Sequence, residues 1–238
     1  MTEHDPARLG TVLGMWAHPD DEAYLSGAVM AAAVDAGQRV VCVTATRGEA
    51  GSLDPERWPP ATLAEVREGE LDACLRVLGV SEHHWLGFAD GGCDAVPDDE
   101  AVDQLAELFA DVSPDTVLTF GPDGMTGHLD HVAVGRWATE AFQRWAPPQA
   151  RLLYATKTRA WVDDFFAVVD PARVLMGADE PPTTAPDELA FHFAPDGDML
   201  DRKLSALRCQ VSQVEGLLRD FGEDAFRRLM KDEFFRLP

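Results

Sequence analysis

Apolar and polar residues alternate along the first two-thirds of the chain in blocks that predict strands followed by helices. Short apolar or β-branched runs predict strands at 12–16, 39–46, 83–86 and 116–120. Between and after them, apolar residues at helical spacing predict helices at 22–36, 61–78, 102–112 and 132–145. This alternation predicts an α/β fold in which a mostly parallel sheet carries helices on both faces. Right-handed crossovers make the predicted topology Rossmann-like.

The last third of the chain gives weaker signals. Strands are predicted at 151–155, 165–169 and 189–193, a loop at 181–186, and helices over 200–218 and 223–235. We find no internal repeat, low-complexity tract or shift of composition that would mark a second domain. The prediction is therefore a single domain over residues 1–238.

Charge and composition narrow the classes of function. Of 238 residues, 42 are acidic and 20 basic, so the formal net charge is −22. Nucleic-acid binding needs cationic groups that neutralise phosphates, and anionic membranes repel an acidic chain, so we expect neither as a partner. A divalent cation or a neutral substrate is compatible with this charge. No Gly-x-Gly-x-x-Gly and no Walker A sequence is present, so we expect no nucleotide cofactor.

The lack of a recognisable targeting signal and the pattern of the cysteines predict a cytoplasmic protein. No segment approaches the ~20 apolar residues that span a bilayer, and the first ten residues lack the apolar stretch of a secretory signal. The four cysteines are widely spaced and form no Cys-x-x-Cys pair. Free thiols in a reducing compartment fit this pattern best.

The segment AHPDDE, residues 17–22, follows the first predicted strand and precedes a helix. Ligands of open α/β sheets bind outside the carboxyl ends of strands, so this place favours function. His18 and Asp21 can point to one side at a helix start, and imidazole and carboxylate are zinc-type ligands. Asp20 then points elsewhere and is free to act as a base. Alternatively, the acidic residues only stabilise the positive end of the helix dipole, and this segment alone supports the two interpretations equally.

The segment GHLDH, residues 127–131, follows the strand predicted at 116–120 and opens a helix. One of its two histidines can bind a metal while the other, held by a carboxylate, donates a hydrogen bond or a proton. The alternative is a pair of partly buried histidines beside a capping aspartate. Taken together, the two segments offer His, Asp and His as three metal ligands and leave a fourth position for water, as in catalytic zinc sites.

The two segments are similar to the signature pair of the PIG-L/LmbE-like family of zinc-dependent N-acetylglucosaminyl deacetylases. Further stretches agree with this resemblance: TRGEAG at 46–51, REGELDACLRVLGV at 67–80, FADGG at 88–92 and KLSALRCQVSQ at 203–213. The chain departs from the family's pattern at Leu129, where Pro is usual. It also departs at Cys209-Gln210-Val211, where a His often precedes the Ser-Gln of the C-terminal helix.

The resemblance implies three groups of site residues. The implied metal ligands are His18, Asp21 and His131. The implied acid–base group consists of Asp20 as general base, His128 as electrophilic or acid histidine, and Asp130 as the residue that orients His128. The implied sugar contacts are Glu49, Arg67 and Asp90. Zinc is the implied ion, with ferrous iron as the alternative in a reducing cell, because nitrogen and oxygen donors accommodate both.

The hypothesis that follows is a hydrolase that removes the N-acetyl group of a GlcNAc-type substrate with metal-activated water. Asp20 takes a proton from the water, and the metal and His128 stabilise the oxyanion. Either Asp20 or His128 then protonates the leaving amine. One alternative is an amidase for a larger acyl group, such as a thiol-conjugate amidase. Another is a non-catalytic metal- or sugar-binding protein, against which the intact Asp20 argues. The expected partner is a small N-acylated amino sugar, and homo-oligomerisation stays open.

Overall fold

A seven-stranded sheet carries the fold in the computed structural model, which describes residues 4–238. The strands are β1 (Val12–Trp16), β2 (Val40–Thr44), β3 (Glu82–Trp85), β4 (Thr116–Phe120), β5 (Arg151–Thr156), β6 (Phe191–Phe193) and β7 (Glu233–Arg236). Their order across the sheet is β3-β2-β1-β4-β5-β7-β6. The first five strands run parallel, β7 pairs antiparallel with β5, and β6 pairs antiparallel with β7. The predicted Rossmann-like, mostly parallel sheet is confirmed.

The central strands are buried because helices cover the sheet. Every residue of β1, β2 and β4 is buried, which explains why their sequences read as continuous apolar or β-branched runs. The helices are α1 (Asp21–Asp35), α2 (Pro60–Leu78), α3 (Asp98–Val112), α4 (Gly124–Gly127), α5 (Leu129–Trp145), α6 (Arg159–Phe166), α7 (Gly197–Cys209), α8 (Val211–Phe221) and α9 (Glu223–Leu229). Helices α1, α2 and α7 pack together, and α3 packs against α5. Between residues 4 and 238, no helix is both long and apolar enough to cross a bilayer.

The strand predicted at 165–169 is wrong. This apolar run spans the end of α6 and the turn after it. The Thr158 side chain accepts a hydrogen bond from the Trp161 amide and so caps a helix that buries Val162 and Phe165. An apolar run that crosses a helix end looks like a buried strand when periodicity alone is considered.

The two helices predicted near the C-terminus also differ from the structure. The helix predicted over 200–218 is interrupted at Gln210 (φ −82°, ψ 55°), where α7 ends and α8 begins. The Gln210 side chain turns inward, and the Glu70 carboxylate accepts the Ser212 amide at 2.7 Å in the first turn of α8. The helix predicted over 223–235 ends at Leu229, because the buried side chains of Phe234 and Phe235 belong to β7.

A buried ion pair joins β7 and α7 to the helix that follows the first motif. Lys203 Nζ lies 2.8 Å from Glu233 Oε1, and both side chains are 0% exposed. The same carboxylate accepts the amides of Ala28 and Val29 in α1, each at 2.8 Å. The pair therefore connects the C-terminal third of the chain to α1, whose first turn carries Asp21.

We predict that Glu233→Gln destabilises the protein by about 3–5 kcal/mol, because it leaves the Lys203 charge buried without its counter-charge. Urea unfolding gives the free energy of unfolding of the variant and of the parent protein. The matched control is Asp220→Asn, which removes an ion pair with Arg173 between exposed side chains 2.7 Å apart. The control is expected to change stability by less than about 1 kcal/mol. A Glu233→Gln protein as stable as the control would contradict this account.

Candidate active site

The candidate site lies where the chain reverses its direction of travel across the sheet. From β1 the chain proceeds to β2 and β3 on one side, and it returns to β4 on the other side of β1. Ligands of open α/β folds bind in the crevice at such a switch point, outside the carboxyl ends of the strands. The segments after β1, β2, β3 and β4 contribute every predicted site residue except Arg67, which reaches the site from α2.

Three predicted metal ligands converge at this crevice. His18 Nδ1 lies 3.1 Å from His131 Nε2 and 3.7 Å from Asp21 Oδ2, and His131 Nε2 lies 3.5 Å from Asp21 Oδ1. All three residues are buried. Zinc bonds of 2.0–2.1 Å in a tetrahedral site imply donor–donor distances of about 3.3 Å. The spacing and the chemistry of these nitrogen and oxygen donors therefore fit a divalent metal.

The second ring nitrogen of His18 faces two carboxylates. His18 Nε2 lies 3.0 Å from Asp90 Oδ1 and 3.2 Å from Asp130 Oδ2. Asp130 is fully buried and also accepts the amides of Gly91 at 2.7 Å and Cys93 at 3.0 Å. Its carboxylate therefore orients His18, whereas the sequence predicted that it orients His128. Asp130 contacts His128 through the backbone, because its amide donates to His128 Nδ1 at 3.1 Å.

Potential donor atoms also form two overlapping groups that include His128. His18, His128 and His131 form one group, and His18, Asp90, His128 and Asp130 form the other, with donor atoms within 4.8 Å of one another. The structure thus brings the two motifs together and offers more than one way to hold a cation between them.

The charge states of the three histidines differ because their surroundings differ. Burial favours neutral His18, but its hydrogen bonds to Asp130 and Asp90 outweigh burial and raise its pKa to about 10. Burial lowers the pKa of His131 to about 4 and also lowers the pKa of His128. His131 Nδ1 donates to the Gly124 carbonyl at 3.0 Å, so the neutral ring keeps Nε2 free as a ligand atom.

Asp20 occupies a strained backbone position beside the cluster. Its φ of 108° is unusual for a residue that is not glycine, and such strain is concentrated at functional sites. The Glu22 carboxylate accepts the Asp20 amide at 2.9 Å, and Arg67 Nη2 lies 3.2 Å from Asp20 Oδ2. Burial raises the pKa of Asp20 to about 8, although Arg67 opposes this rise. A carboxyl group with this pKa changes its protonation state near neutral pH.

Arg67 joins the loops that follow β1 and β2. Its guanidinium donates to the carbonyls of Pro19 and, at 2.9 Å, Gly48. Gly48 has a φ of +66°, and a Cβ there would lie 2.0 Å from Arg67 Nη1. Only glycine accommodates both this conformation and the close approach of the guanidinium.

Glu49 and Asp90 support each other on the polar wall of the crevice. Glu49 Oε1 accepts the Asp90 amide at 2.9 Å, and Asp90 Oδ2 accepts the Ala50 amide at 2.8 Å. Glu49 Oε2 is buried and has no hydrogen-bond partner among residues 4–238. Both Asp90 oxygens have partners, because Asp90 Oδ1 lies 3.0 Å from His18 Nε2, so Glu49 Oε2 is the unpaired acceptor of this pair of residues.

Glu22 is a site residue that sequence reasoning treated only as a helix-dipole charge. It is fully buried, and it accepts hydrogen bonds from the Asp20 amide, Cys74 Sγ at 3.2 Å and Gln210 Nε2 at 3.1 Å. Burial raises the pKa of Glu22 to about 7. The sequence signal that could have identified Glu22 as a site residue was its place at the end of AHPDDE. Gln210, at one of the departures from the family pattern, thus supports the loop that carries Asp20.

Fold and site together define a Rossmann-like α/β protein with a buried histidine–aspartate cluster of metal-binding type at its switch point. Residues 13–142 match the sequence profile of the PIG-L family, described as GlcNAc-PI de-N-acetylase. The chain belongs to the PIG-L family, and the resemblance found in its motifs is confirmed.

Relatives extend this likeness beyond the matched residues. A 1D-myo-inositol 2-acetamido-2-deoxy-alpha-D-glucopyranoside deacetylase of Kineococcus radiotolerans is 31% identical, over 89% of this chain and 73% of the relative. A protein of the same name, numbered 2, from Saccharopolyspora erythraea is 32% identical, over 93% of this chain and 88% of the relative. The structure of an N,N'-diacetylchitobiose deacetylase from Pyrococcus horikoshii is similar in fold, with a TM-score of 0.65, 22% identity, and coverage of 100% of this chain and 87% of the other.

We predict that a divalent metal displaces a proton from His18. Because the pKa of His18 is raised to about 10, its ring is charged at pH 7.5 in the metal-free protein. Metal ligands must be deprotonated, so binding of Zn²⁺ should release about one proton from this ring. Calorimetric titration in two buffers of different ionisation enthalpy measures the release. Asp20→Asn is the control that removes any contribution from that carboxyl group, and zero release from this variant would contradict the prediction.

Proposed function

We propose that the chain is a metal-dependent hydrolase that removes the N-acetyl group of a GlcNAc-type substrate and releases acetate and a free amine. One observation carries the proposal: three buried donor side chains meet at the switch point, with Asp20 and His128 beside them. The names of the relatives, which are deacetylases of a 2-acetamido sugar linked to inositol, support the same reaction class.

The metal would be held by His18 Nδ1, Asp21 and His131 Nε2. These nitrogen and oxygen donors suit zinc, and they also suit ferrous iron in a reducing cell. When bound, such an ion lowers the pKa of its water to about 7 and polarises a carbonyl oxygen. The Asp130 carboxylate contacts His18 Nε2, the ring nitrogen that does not face the metal position. It would fix the orientation and tautomer of the ring, as in a carboxylate–histidine–metal triad.

Asp20 would act as the general base. It lies next to the ligand Asp21 in sequence, but its unusual backbone conformation and its contact with Arg67 give its carboxylate a separate orientation. It would take a proton from the attacking water and then deliver it to the leaving amine. A carboxyl group whose pKa is raised to about 8 can serve in both directions.

His128 would stabilise the negative charge that develops on the acyl oxygen. Its Nδ1 accepts the Asp130 amide, so the neutral ring carries its proton on Nε2. Burial lowers the pKa of His128 and keeps this neutral form prevalent. An N–H that is already oriented before the reaction is an effective oxyanion donor.

Glu49, Arg67 and Asp90 would position the sugar. The free oxygen of Glu49 and the carboxylate of Asp90 would accept hydrogen bonds from hydroxyl groups. Arg67, whose guanidinium joins the loops of Pro19 and Gly48, would shape the wall between the sugar and Asp20.

The direct test is release of acetate from a panel of N-acetylated amino sugars. The panel includes free N-acetylglucosamine, its inositol glycoside and N,N'-diacetylchitobiose, with matched substrates that carry longer acyl groups. We expect acetate release that a chelator abolishes and that Zn²⁺ or Fe²⁺ restores. Hydrolysis of long-acyl substrates alone would identify an amidase for larger acyl groups. Binding without hydrolysis would identify a non-catalytic protein.

Variants of the two motifs should separate ligands from acid–base groups. Asp20→Asn and His128→Ala should retain the metal and lose about 10²–10⁴-fold in kcat, the usual contribution of a positioned acid or base. Asp21→Ala and His131→Ala should lose metal and activity together, as read by metal analysis beside the acetate assay.

The matched control for these variants is His192→Ala. His192 lies on β6, outside the cluster, and its side chain pairs with Asp232. This control should retain both metal and activity. The division of roles would be reversed if Asp20→Asn released the metal while Asp21→Asn retained it.

A further inference from the structure

The imidazole of His131 is held by a backbone carbonyl rather than by a carboxylate. His131 Nδ1 donates to the Gly124 carbonyl oxygen at 3.0 Å, and the ring stacks on Phe120 with the two centroids 4.2 Å apart. The group that holds the second nitrogen of a ligating histidine sets the tautomer and the direction of its ring. The place of the Gly124 carbonyl therefore determines where His131 Nε2 points.

The turn that carries this carbonyl has a strained backbone. Gly124 has a φ of +64°, and Met125, which is not a glycine, has a φ of +63°. A Cβ at Gly124 would lie 2.8 Å from Val132 Cγ2 and 3.1 Å from His131 Cβ. A residue such as Met125 keeps this conformation only where surrounding contacts hold it. The contacts that hold this turn thus also hold the Gly124 carbonyl.

Asp123 and Arg236 supply such contacts. Asp123 Oδ1 accepts the Met125 amide at 2.8 Å, across the turn. Asp123 Oδ2 accepts a hydrogen bond from Arg236 Nη2 at 3.0 Å, and both side chains of this ion pair are partly buried. Arg236 is the last residue of β7, 113 positions further along the chain. The Asp123 carboxylate therefore joins the strained turn to the C-terminal strand.

The ion pair fits closely against the end of β4. The Arg236 guanidinium lies over the ring of Tyr154, 5.3 Å from its centroid. A Cβ at Gly121, the residue that follows β4, would lie 2.7 Å from Arg236 Nη2 and 2.9 Å from Asp123 Oδ2. A side chain at position 121 would therefore displace the ion pair, and glycine leaves room for it.

We propose that Asp123 and Arg236 are positioning residues of the metal site. They hold the Gly124 carbonyl against His131 Nδ1 and so direct Nε2 of this ring toward the metal. The inference rests on the proposed function and adds to it two residues that lie outside AHPDDE and GHLDH. Arg236 also lies outside residues 13–142, which match the family profile, so the C-terminal strand contributes to the metal site.

The first measurement is the Kd of Zn²⁺ for the full chain, obtained by competition with a chromophoric chelator. Loss of a group that orients a metal-bound histidine weakens metal binding by about 10–100-fold. Asp123 and Arg236 act on such a group, the Gly124 carbonyl, instead of on the ring itself. We therefore expect Asp123→Ala and Arg236→Ala each to raise the Kd by about tenfold, the lower end of that range.

A double variant tests whether the two residues act as one unit. Because Arg236 acts through the Asp123 carboxylate, the protein with both Asp123→Ala and Arg236→Ala should bind Zn²⁺ as well as Asp123→Ala alone. The matched control is Arg39→Ala. Arg39 Nη2 also lies 2.7 Å from a carboxylate oxygen, of Glu82, but Arg39 directly precedes β2 and lies at the opposite edge of the sheet from the crevice. The control should keep the Kd of the parent protein.

Nitrogen-15 NMR of the His131 ring separates positioning from a loss of stability and needs no metal. In the metal-free parent protein His131 should be protonated at Nδ1 and bare at Nε2, so its two ring nitrogens give well separated signals. The His131→Ala spectrum identifies these signals by their absence. In Asp123→Ala and Arg236→Ala the ring should exchange between tautomers, which moves the two signals toward each other. Lower stability alone would leave the signals of the folded protein unchanged.

Two results would overturn the inference while the proposed function stands. One is a Kd for both single variants that matches the Arg39→Ala control, and the other is a double variant in which the two losses of affinity multiply. If the parent protein binds no Zn²⁺, the proposed metal dependence fails, and the His131 spectra of the metal-free protein decide. Unchanged signals in both variants would then overturn the inference, whereas converging signals would support it.

Discussion

The imidazole of His18 is shared between two sets of groups, and this sharing organises the whole crevice. One ring nitrogen points to Asp21 and His131, and the other points to Asp90 and Asp130. In the absence of a metal the ring satisfies both sets by carrying a positive charge, which is why its pKa is raised so far. A divalent ion on the Nδ1 side would replace this single positive charge with two. The donor set and the negative potential of the neighbouring carboxylates therefore fit a cation at this place.

The fold brings these groups together through the switch in strand order. Because β1 lies between β2 and β4, the segments after three adjacent strands face one crevice. The backbone strain at Asp20 persists because the surrounding structure outweighs it. That support comes from Glu22 and Arg67, which contact Asp20 directly. The Lys203–Glu233 pair holds the same helix, α1, through the amides of Ala28 and Val29, so the C-terminal third of the chain contacts the helix that carries Asp21.

The sequence allowed the sheet, the family and the convergence of the two motifs to be predicted. Parallel buried strands leave continuous apolar runs, and AHPDDE and GHLDH each follow such a run. The sequence did not predict the partner of the Asp130 carboxylate. The expected partner was His128, its neighbour in sequence, but the carboxylate contacts His18, which lies 112 positions away. The break at Gln210 and the strand β7 were missed for a related reason. Both depend on buried contacts between distant residues, which local periodicity does not contain.

We propose that His18, Asp21 and His131 hold the metal while Asp20 and His128 remain free for chemistry. Anomalous diffraction from crystals of the zinc-loaded protein shows which donor atoms surround the ion. We expect one peak per chain, with His18 Nδ1, an Asp21 oxygen and His131 Nε2 at about 2.0–2.2 Å from the ion. A peak on the other side of the ring, bound by His18 Nε2 with Asp90 and Asp130, would overturn the proposed ligand set.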